Sequence, residues 1–147
     1  MKHNPTLDTL IAGLAPLEVR LAPGASSLRP TALTADSRQA GAGSLFVAVP
    51  GTKVDGHSFI PQVVAAGAAA VVCEHIPDGA SADVSWIRVA DSSEALGLLA
   101  SAWHGHPSRR LTLVGVTGTN GKTTIATLLY EFARLQGLNA GLLSTVV

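Results

Sequence analysis

The fold is decided by a glycine-rich stretch, Gly118-Thr119-Asn120-Gly121-Lys122-Thr123-Thr124. An apolar run at 111–116 precedes it and predicts a buried strand, and residues 125–136 after it have the spacing of a helix. A strand, a glycine loop that ends in a lysine and a hydroxyl residue, and then a helix form the layout of a nucleoside-triphosphate-binding loop. With a further strand predicted at 140–146, the stretch indicates the first βαβ unit of a P-loop ATPase domain.

The chemistry of the loop residues suits the binding of a triphosphate. Gly118 and Gly121 let backbone N–H groups approach phosphate oxygens and can adopt positive φ. The helix start adds further N–H groups and a partial positive charge. Lys122 is predicted to reach the β- and γ-phosphates as the catalytic residue, and the Thr123 hydroxyl to ligate Mg²⁺. ATP and Mg²⁺ are thus the expected cofactors. The predicted ATP-binding residues are Gly118, Thr119, Asn120, Gly121, Lys122, Thr123 and Thr124.

The spacing of the glycines departs from the common motif. That motif has a glycine five residues before the second glycine of the loop, and Val116 stands at that position here, flanked by Gly115 and Gly118. The variant spacing narrows the choice of family. The alternative is a glycine-rich turn between a strand and a helix, with an incidental lysine.

The residues before the loop predict a separate mixed α/β domain. Helices are expected at 6–14, 55–66 and 94–103, and strands at 17–21, 31–34, 44–49, 68–73 and 84–89. Residues 105–110 are polar and turn-rich, which is typical of a linker. We therefore predict a domain at 1–105, a linker at 106–110 and the start of a second domain at 111–147. The second domain is expected to be incomplete, because two strands and one helix cannot bury both faces of a sheet.

Composition excludes several classes of protein. Ten basic and ten acidic residues balance, so the chain has no electrostatic footprint for nucleic acid. The longest uncharged apolar stretch, 60–73, is too short and interrupted to span a bilayer, which predicts no membrane insertion. The N-terminus lacks the apolar core of a signal peptide, and the single cysteine, Cys73, excludes an internal disulfide. These features favour a cytoplasmic protein, with Cys73 as a buried apolar side chain.

Residues 114–124 resemble the ATP loop of the Mur ligases, which build the peptide of bacterial peptidoglycan. Folylpolyglutamate and cyanophycin synthetases have similar loops, but the preceding domain narrows the choice. The segments 36–38, 43–51, 55–60 and 67–72 resemble the uridine-nucleotide-binding domain that the MurE and MurF types share. The loop favours the MurE type, because MurF more often has Ser where Thr119 stands.

The resemblance implies an ATP-dependent amide ligase of peptidoglycan precursor synthesis. Such an enzyme adds meso-diaminopimelate or L-lysine to UDP-N-acetylmuramoyl-L-alanyl-D-glutamate through an acyl phosphate. The expected partners are this UDP-N-acetylmuramoyl dipeptide and an amino acid acceptor whose site lies outside the chain. We expect residues 1–147 alone to be inactive. A non-catalytic uridine-nucleotide-binding module and a MurF-type ligase that adds D-alanyl-D-alanine remain the alternatives.

The resemblance also implies which residues contact the uridine nucleotide. They are Ala35, Ser37, Thr52, Lys53 and Val54. The Ser37 hydroxyl can hydrogen-bond a uracil edge or a ribose, and Thr52 and Lys53 offer a hydroxyl and a cation. The alternative for 36–38 is a salt-bridged loop with an Asx turn. For His57, a structural position near a helix start is favoured over a ligand role.

Overall fold

The computed structural model describes residues 4–52 and 54–144 of the chain. Contacts between Cα atoms divide the chain into two compact units, Met1–Arg110 and Leu111–Val147. The strands are β1 (Glu18–Arg20), β2 (Leu33–Thr34), β3 (Leu45–Val47), β4 (Ala70–Cys73) and β5 (Ser85–Arg88). The helices are α1 (Leu7–Ile11), α2 (Ile60–Ala65), α3 (Ser92–Trp103) and α4 (Lys122–Leu135), with 3₁₀ turns at Ala25–Ser27, Gly56–Phe59 and Pro107–Arg110.

The first unit is built on one five-stranded sheet with the order β1-β5-β4-β3-β2. The strands from β2 to β5 are parallel, whereas β1 joins β5 antiparallel at one edge. Val47 pairs with Val72, and Val72 pairs with Ile87, so the apolar side chains of neighbouring strands are in register. Since four strands run in the same direction, their carboxyl ends lie along one edge of the sheet, where ligands bind in open α/β folds.

Alternation along the strands separates two apolar cores. Leu45 and Val47 belong to one core and Phe46 to the other. Side chains from α1 and α3 complete the first core: Leu7, Leu10, Ala95 and Leu99. Side chains from α2 contribute to the second: Ile60 and Val63. Both faces of the sheet are therefore covered, as a parallel sheet requires.

The predicted mixed α/β class and the elements of the first unit are confirmed, with small shifts at their ends. The third helix begins at Ser92, where the Asp91 carboxylate accepts a hydrogen bond from the Glu94 N–H at 2.9 Å. The segment predicted as a helix at 55–66 opens as a 3₁₀ turn before α2, and Gly67 follows it at φ 90°. Cys73 is fully buried as expected, and burial raises the pKa of its thiol to about 11.

The second unit forms the predicted helix but not the predicted strands. Helix α4 begins at Lys122 rather than Ile125. Within the described residues, neither 111–116 nor 140–144 is a strand, and 145–146 lie outside those residues. A strand is stabilised by hydrogen bonds to a neighbouring strand and by packing on its faces. Leu113 and Val114 lack such cover, since each residue is 71% exposed.

No helix in 4–52 or 54–144 is both long and apolar enough to cross a membrane.

Candidate functional site

The first candidate site lies at the carboxyl edge of the sheet. The turn at 35–38 follows β2, and a tight turn at 50–55, called here the 50–55 turn, follows β3. Glu74 follows β4 directly, and Asp91 lies shortly after β5. Because β2 and β3 are parallel neighbours, the two turns leave the sheet side by side. The predicted uridine contacts therefore come from adjacent strand ends.

The turn after β2 is held by an ion pair between Asp36 and Arg38. Asp36 Oδ1 accepts from the Arg38 N–H at 3.0 Å and from Nε at 2.8 Å, and Asp36 Oδ2 accepts from Nη2 at 2.6 Å. This is the salt-bridged turn that the sequence left as an alternative. Ser37, between the two, makes no hydrogen bond with its hydroxyl in the described part of the chain, and Ala35 is exposed. The ion pair shapes the turn and leaves the hydroxyl available to a ligand.

The Asp36 carboxyl is expected to titrate far below the usual range. The Arg38 guanidinium and then its backbone N–H lower the pKa of Asp36 from 3.8 to about 2. Because the folded-state pKa is depressed, this contact stabilises the fold above about pH 4 and is lost as the pH falls toward about 2. Carboxyl ¹³C shifts followed by NMR should give a midpoint near the lower value. In Arg38→Ala the midpoint should rise toward 3.8. A wild-type midpoint near 3.8 would contradict the ion pair in solution.

The 50–55 turn is closed by an antiparallel bridge between Pro50 and Asp55. The Gly51 N–H donates to the Val54 carbonyl at 3.1 Å, inside that bridge. Thr52 and Val54 are exposed, so two of the predicted uridine contacts face solvent at the end of β3. The third, Lys53, lies outside the described residues.

His57 joins this turn to the end of β4. Its Nδ1 lies 2.7 Å from Asp55 Oδ1, and its Nε2 accepts the Glu74 N–H at 2.9 Å. The pKa of Asp55 is lowered by hydrogen bonds from His57, first from its backbone N–H and then from its ring. Sequence reasoning placed His57 near a helix start but missed Glu74, which lies 17 residues away. The spacing of Asp55 and His57, two residues apart, indicates their contact with each other and not the bond to Glu74.

The Glu74 side chain extends the same network to α3. Its Oε1 accepts hydrogen bonds from the Ser92 N–H at 3.0 Å and from the Ser92 hydroxyl at 2.9 Å. These two bonds lower the pKa of Glu74. Ser92 is fully buried, so the contact is part of the packed edge. The ends of β3, β4 and β5 are thereby connected through side chains.

The second candidate site is the glycine loop of the second unit. Gly121 precedes α4 at φ 75°, and Gly118 has φ 146°, conformations that favour glycine. No side chain caps α4, so the N–H groups of its first turn are open to an anion. Lys122 Nζ donates to the carbonyls of Gly118 at 2.6 Å and Thr119 at 3.3 Å. Lys122 has no carboxylate partner within the described residues, so its charge is available to a phosphate.

The described residues do not form a metal site from the usual ligand types. No group of three His, Cys, Asp or Glu side chains there could hold an ion. The predicted ligand Thr123 is half-buried in the first turn of α4, and its carbonyl accepts from the Thr127 hydroxyl at 2.8 Å.

Comparison with known proteins identifies a family match over most of the first unit. Residues 30–104 match the family model described as "Mur ligase family, catalytic domain". The chain belongs to the Mur ligase family. This confirms the family predicted from the glycine loop and from the segments around Asp36 and Asp55. Mur ligases are ATP-dependent ligases.

Relatives within the Mur ligase family are similar over most of the chain. A protein of Parabacteroides distasonis named UDP-N-acetylmuramoyl-L-alanyl-D-glutamate--2,6-diaminopimelate ligase is 56% identical over 130 residues, covering 88% of this chain and 27% of the relative. A protein of the same name from Cytophaga hutchinsonii is 53% identical over 124 residues, covering 84% and 26%. The chain thus spans about a quarter of the length of these relatives.

Solved Mur ligase structures have the same fold. A MurF structure from Acinetobacter baumannii has a TM-score of 0.63 at 28% identity, covering 90% of this chain and 28% of that one. MurF from Thermotoga maritima in complex with ADP has a TM-score of 0.51 at 31% identity, covering 71% and 23%. An adenine nucleotide is therefore bound by a structural neighbour of this chain.

Proposed function

We propose that this chain forms the uridine-nucleotide-binding domain and the start of the ATP-binding domain of a MurE-type ligase. The ligase would add 2,6-diaminopimelate to UDP-N-acetylmuramoyl-L-alanyl-D-glutamate. The observation that carries the proposal is identity of 44–56% to relatives named for that reaction. The MurF structures are 27–31% identical. The relatives' names also favour diaminopimelate over L-lysine.

The carboxyl edge of the sheet is proposed to hold the uridine nucleotide. Ser37 supports this role because its hydroxyl makes no hydrogen bond within the described residues and stands next to a turn fixed by Asp36. Thr52 and Val54 support it because both are exposed on the neighbouring turn. Ala35 is exposed beside Ser37, where its backbone and methyl group can contact a base. Lys53 remains a proposed contact from the sequence.

The glycine loop is proposed to bind the phosphates of ATP. The substrate carboxylate is a poor acyl donor, because its leaving group would be an oxide. Transfer of the γ-phosphoryl group gives an acyl phosphate, and the amine of the acceptor then displaces phosphate to form the amide. Lys122 and the open N–H groups of α4 would stabilise the charge on the transferring group, chiefly by position. Mg²⁺, where bound, would neutralise part of that charge, and the Thr123 hydroxyl is the residue proposed to hold it.

The proposal is tested by an acceptor assay on the full-length protein. UDP-N-acetylmuramoyl-L-alanyl-D-glutamate and ATP are supplied with meso-diaminopimelate or L-lysine, and ADP release and product mass are measured. In a parallel reaction, UDP-N-acetylmuramoyl tripeptide and ATP are supplied with D-alanyl-D-alanine. We expect ADP and a tripeptide product with meso-diaminopimelate. A product only with D-alanyl-D-alanine would indicate the MurF reaction. UDP binding without ADP release in any reaction would indicate a non-catalytic binding module.

A further inference from the structure

Both ring nitrogens of His57 are engaged, and the partners fix its chemical state. The Glu74 N–H is only a donor, so Nε2 must accept and cannot carry a proton. The proton therefore resides on Nδ1, which donates to Asp55 Oδ1 at 2.7 Å. In this arrangement Nε2 is the acceptor and Nδ1 the donor, and the side chain is only 17% exposed.

His57 connects two segments that no backbone–backbone hydrogen bond joins within the described residues. Asp55 belongs to the 50–55 turn, and Glu74 follows β4. Within the described residues, the bond to the Glu74 N–H is the one hydrogen bond between residues 50–59 and residues 70–75. The turn is otherwise closed on itself and on Val49. Its position relative to β4 therefore depends on this ring.

We infer that His57 is a positioning residue that holds the 50–55 turn against the end of β4 for uridine-nucleotide binding. The inference rests on the proposed function, because the turn carries Thr52 and Val54 as proposed contacts. His57 acts through the turn and does not contact the nucleotide. The network continues from Glu74 to Ser92, so it reaches the start of α3 as well.

Two substitutions of His57 by amide side chains can distinguish the positioning role from a role in packing alone. A glutamine at position 57 places its amide oxygen near the location of Nε2, so it can still accept the Glu74 N–H. An asparagine reaches only the location of Nδ1, so it can bond Asp55 but leaves the Glu74 N–H unpaired. Both variants remove the ring, and both introduce the same functional group.

The experiment titrates wild type, His57→Gln and His57→Asn with UDP by calorimetry, using the full-length protein. We expect His57→Asn to bind about tenfold more weakly, because the part-buried Glu74 N–H loses its acceptor and no longer holds the 50–55 turn. His57→Gln should bind within about threefold of wild type. His104→Gln, at an exposed position after α3, is the matched control and should bind as wild type. Equal affinities for the Gln and Asn variants would overturn the inference.

Hydrogen exchange at the Glu74 amide distinguishes a failure of this inference from a failure of the proposed nucleotide site. Wild type and His57→Gln should protect that amide, and His57→Asn should lose the protection. Lost protection with unchanged UDP affinity would overturn the positioning role while nucleotide binding stands. A wild-type chain that binds no UDP would overturn the nucleotide site and the inference with it. Urea unfolding of the two variants checks that both are folded, and a His57→Asn protein that is already unfolded without urea would assign the histidine to stability instead.

Discussion

Lys122→Ala is expected to lower kcat/KM for ATP-dependent ligation by about 100- to 1,000-fold in the full-length protein, the loss typical of removing one preorganised charge-stabilising group. Lys122 Nζ lies 2.6 Å from the Gly118 carbonyl, directly over the glycine loop. In the described structure its partners are neutral carbonyls, so a phosphate oxygen can replace them at little cost. Alanine leaves the loop glycines and the start of α4 in place and removes only the cation.

A control on the same helix tests whether the fall in kcat/KM arises from the change in the glycine loop. Arg134 lies in the last turn of α4, and its guanidinium is 5.7 Å from the Tyr130 ring centroid. Arg134→Ala removes a cation of equal charge far from the glycine loop along the helix, and ligation should stay within about threefold of wild type, since it loses only a weak surface contact. The measurement is initial-rate kinetics with varied ATP. Survival of ligation within a few-fold in Lys122→Ala would show that this loop is not the ATP site.

The first unit was predictable because its sequence pattern and its packing agree. The parallel strands are short apolar runs, and turn residues separate them from helices with apolar spacing. Alternation placed Leu45 and Phe46 on opposite faces, and both faces are buried. Local signals also set the ends of helices, since Asp91 caps α3 and Gly67 follows α2. In such a sheet, local preference and burial point to the same structure.

Contacts between distant residues could not be predicted in the same way. The bond from Glu74 to His57 depends on how β3 and β4 pair, and no local pattern in 55–57 specifies it. The strand expected at 111–116 has the right composition, yet a strand is not a local structure. It needs a paired neighbour and cover on its faces, and within the described residues this segment has neither. Helix α4 satisfies its own backbone and therefore forms where the pattern predicted it.

Gly56→Ala is expected to destabilise the first unit by about 1–3 kcal/mol, the usual cost of forcing an atom into a packed region. A Cβ at position 56 would lie 2.6 Å from the Val49 carbonyl oxygen and 2.8 Å from the Val49 nitrogen. Both are backbone atoms, and the Gly56 N–H donates to that same oxygen at 3.0 Å. The chain cannot relieve the contact by rotating a side chain. It must move the 50–55 turn away from the end of β3.

Gly97→Ala is the matched control and should change stability in the opposite direction. Gly97 lies inside α3, is exposed, and has no atom within 4 Å of an added Cβ. Alanine there should stabilise the protein by about 0.4–1 kcal/mol, because it restricts the unfolded chain and favours the helix. Urea unfolding of both variants measures the two free energies. Equal stability would contradict the close approach at Gly56. Since the added Cβ displaces the 50–55 turn, which carries Thr52 and Val54, Gly56→Ala should also weaken UDP binding in the absence of urea, whereas Gly97→Ala should not.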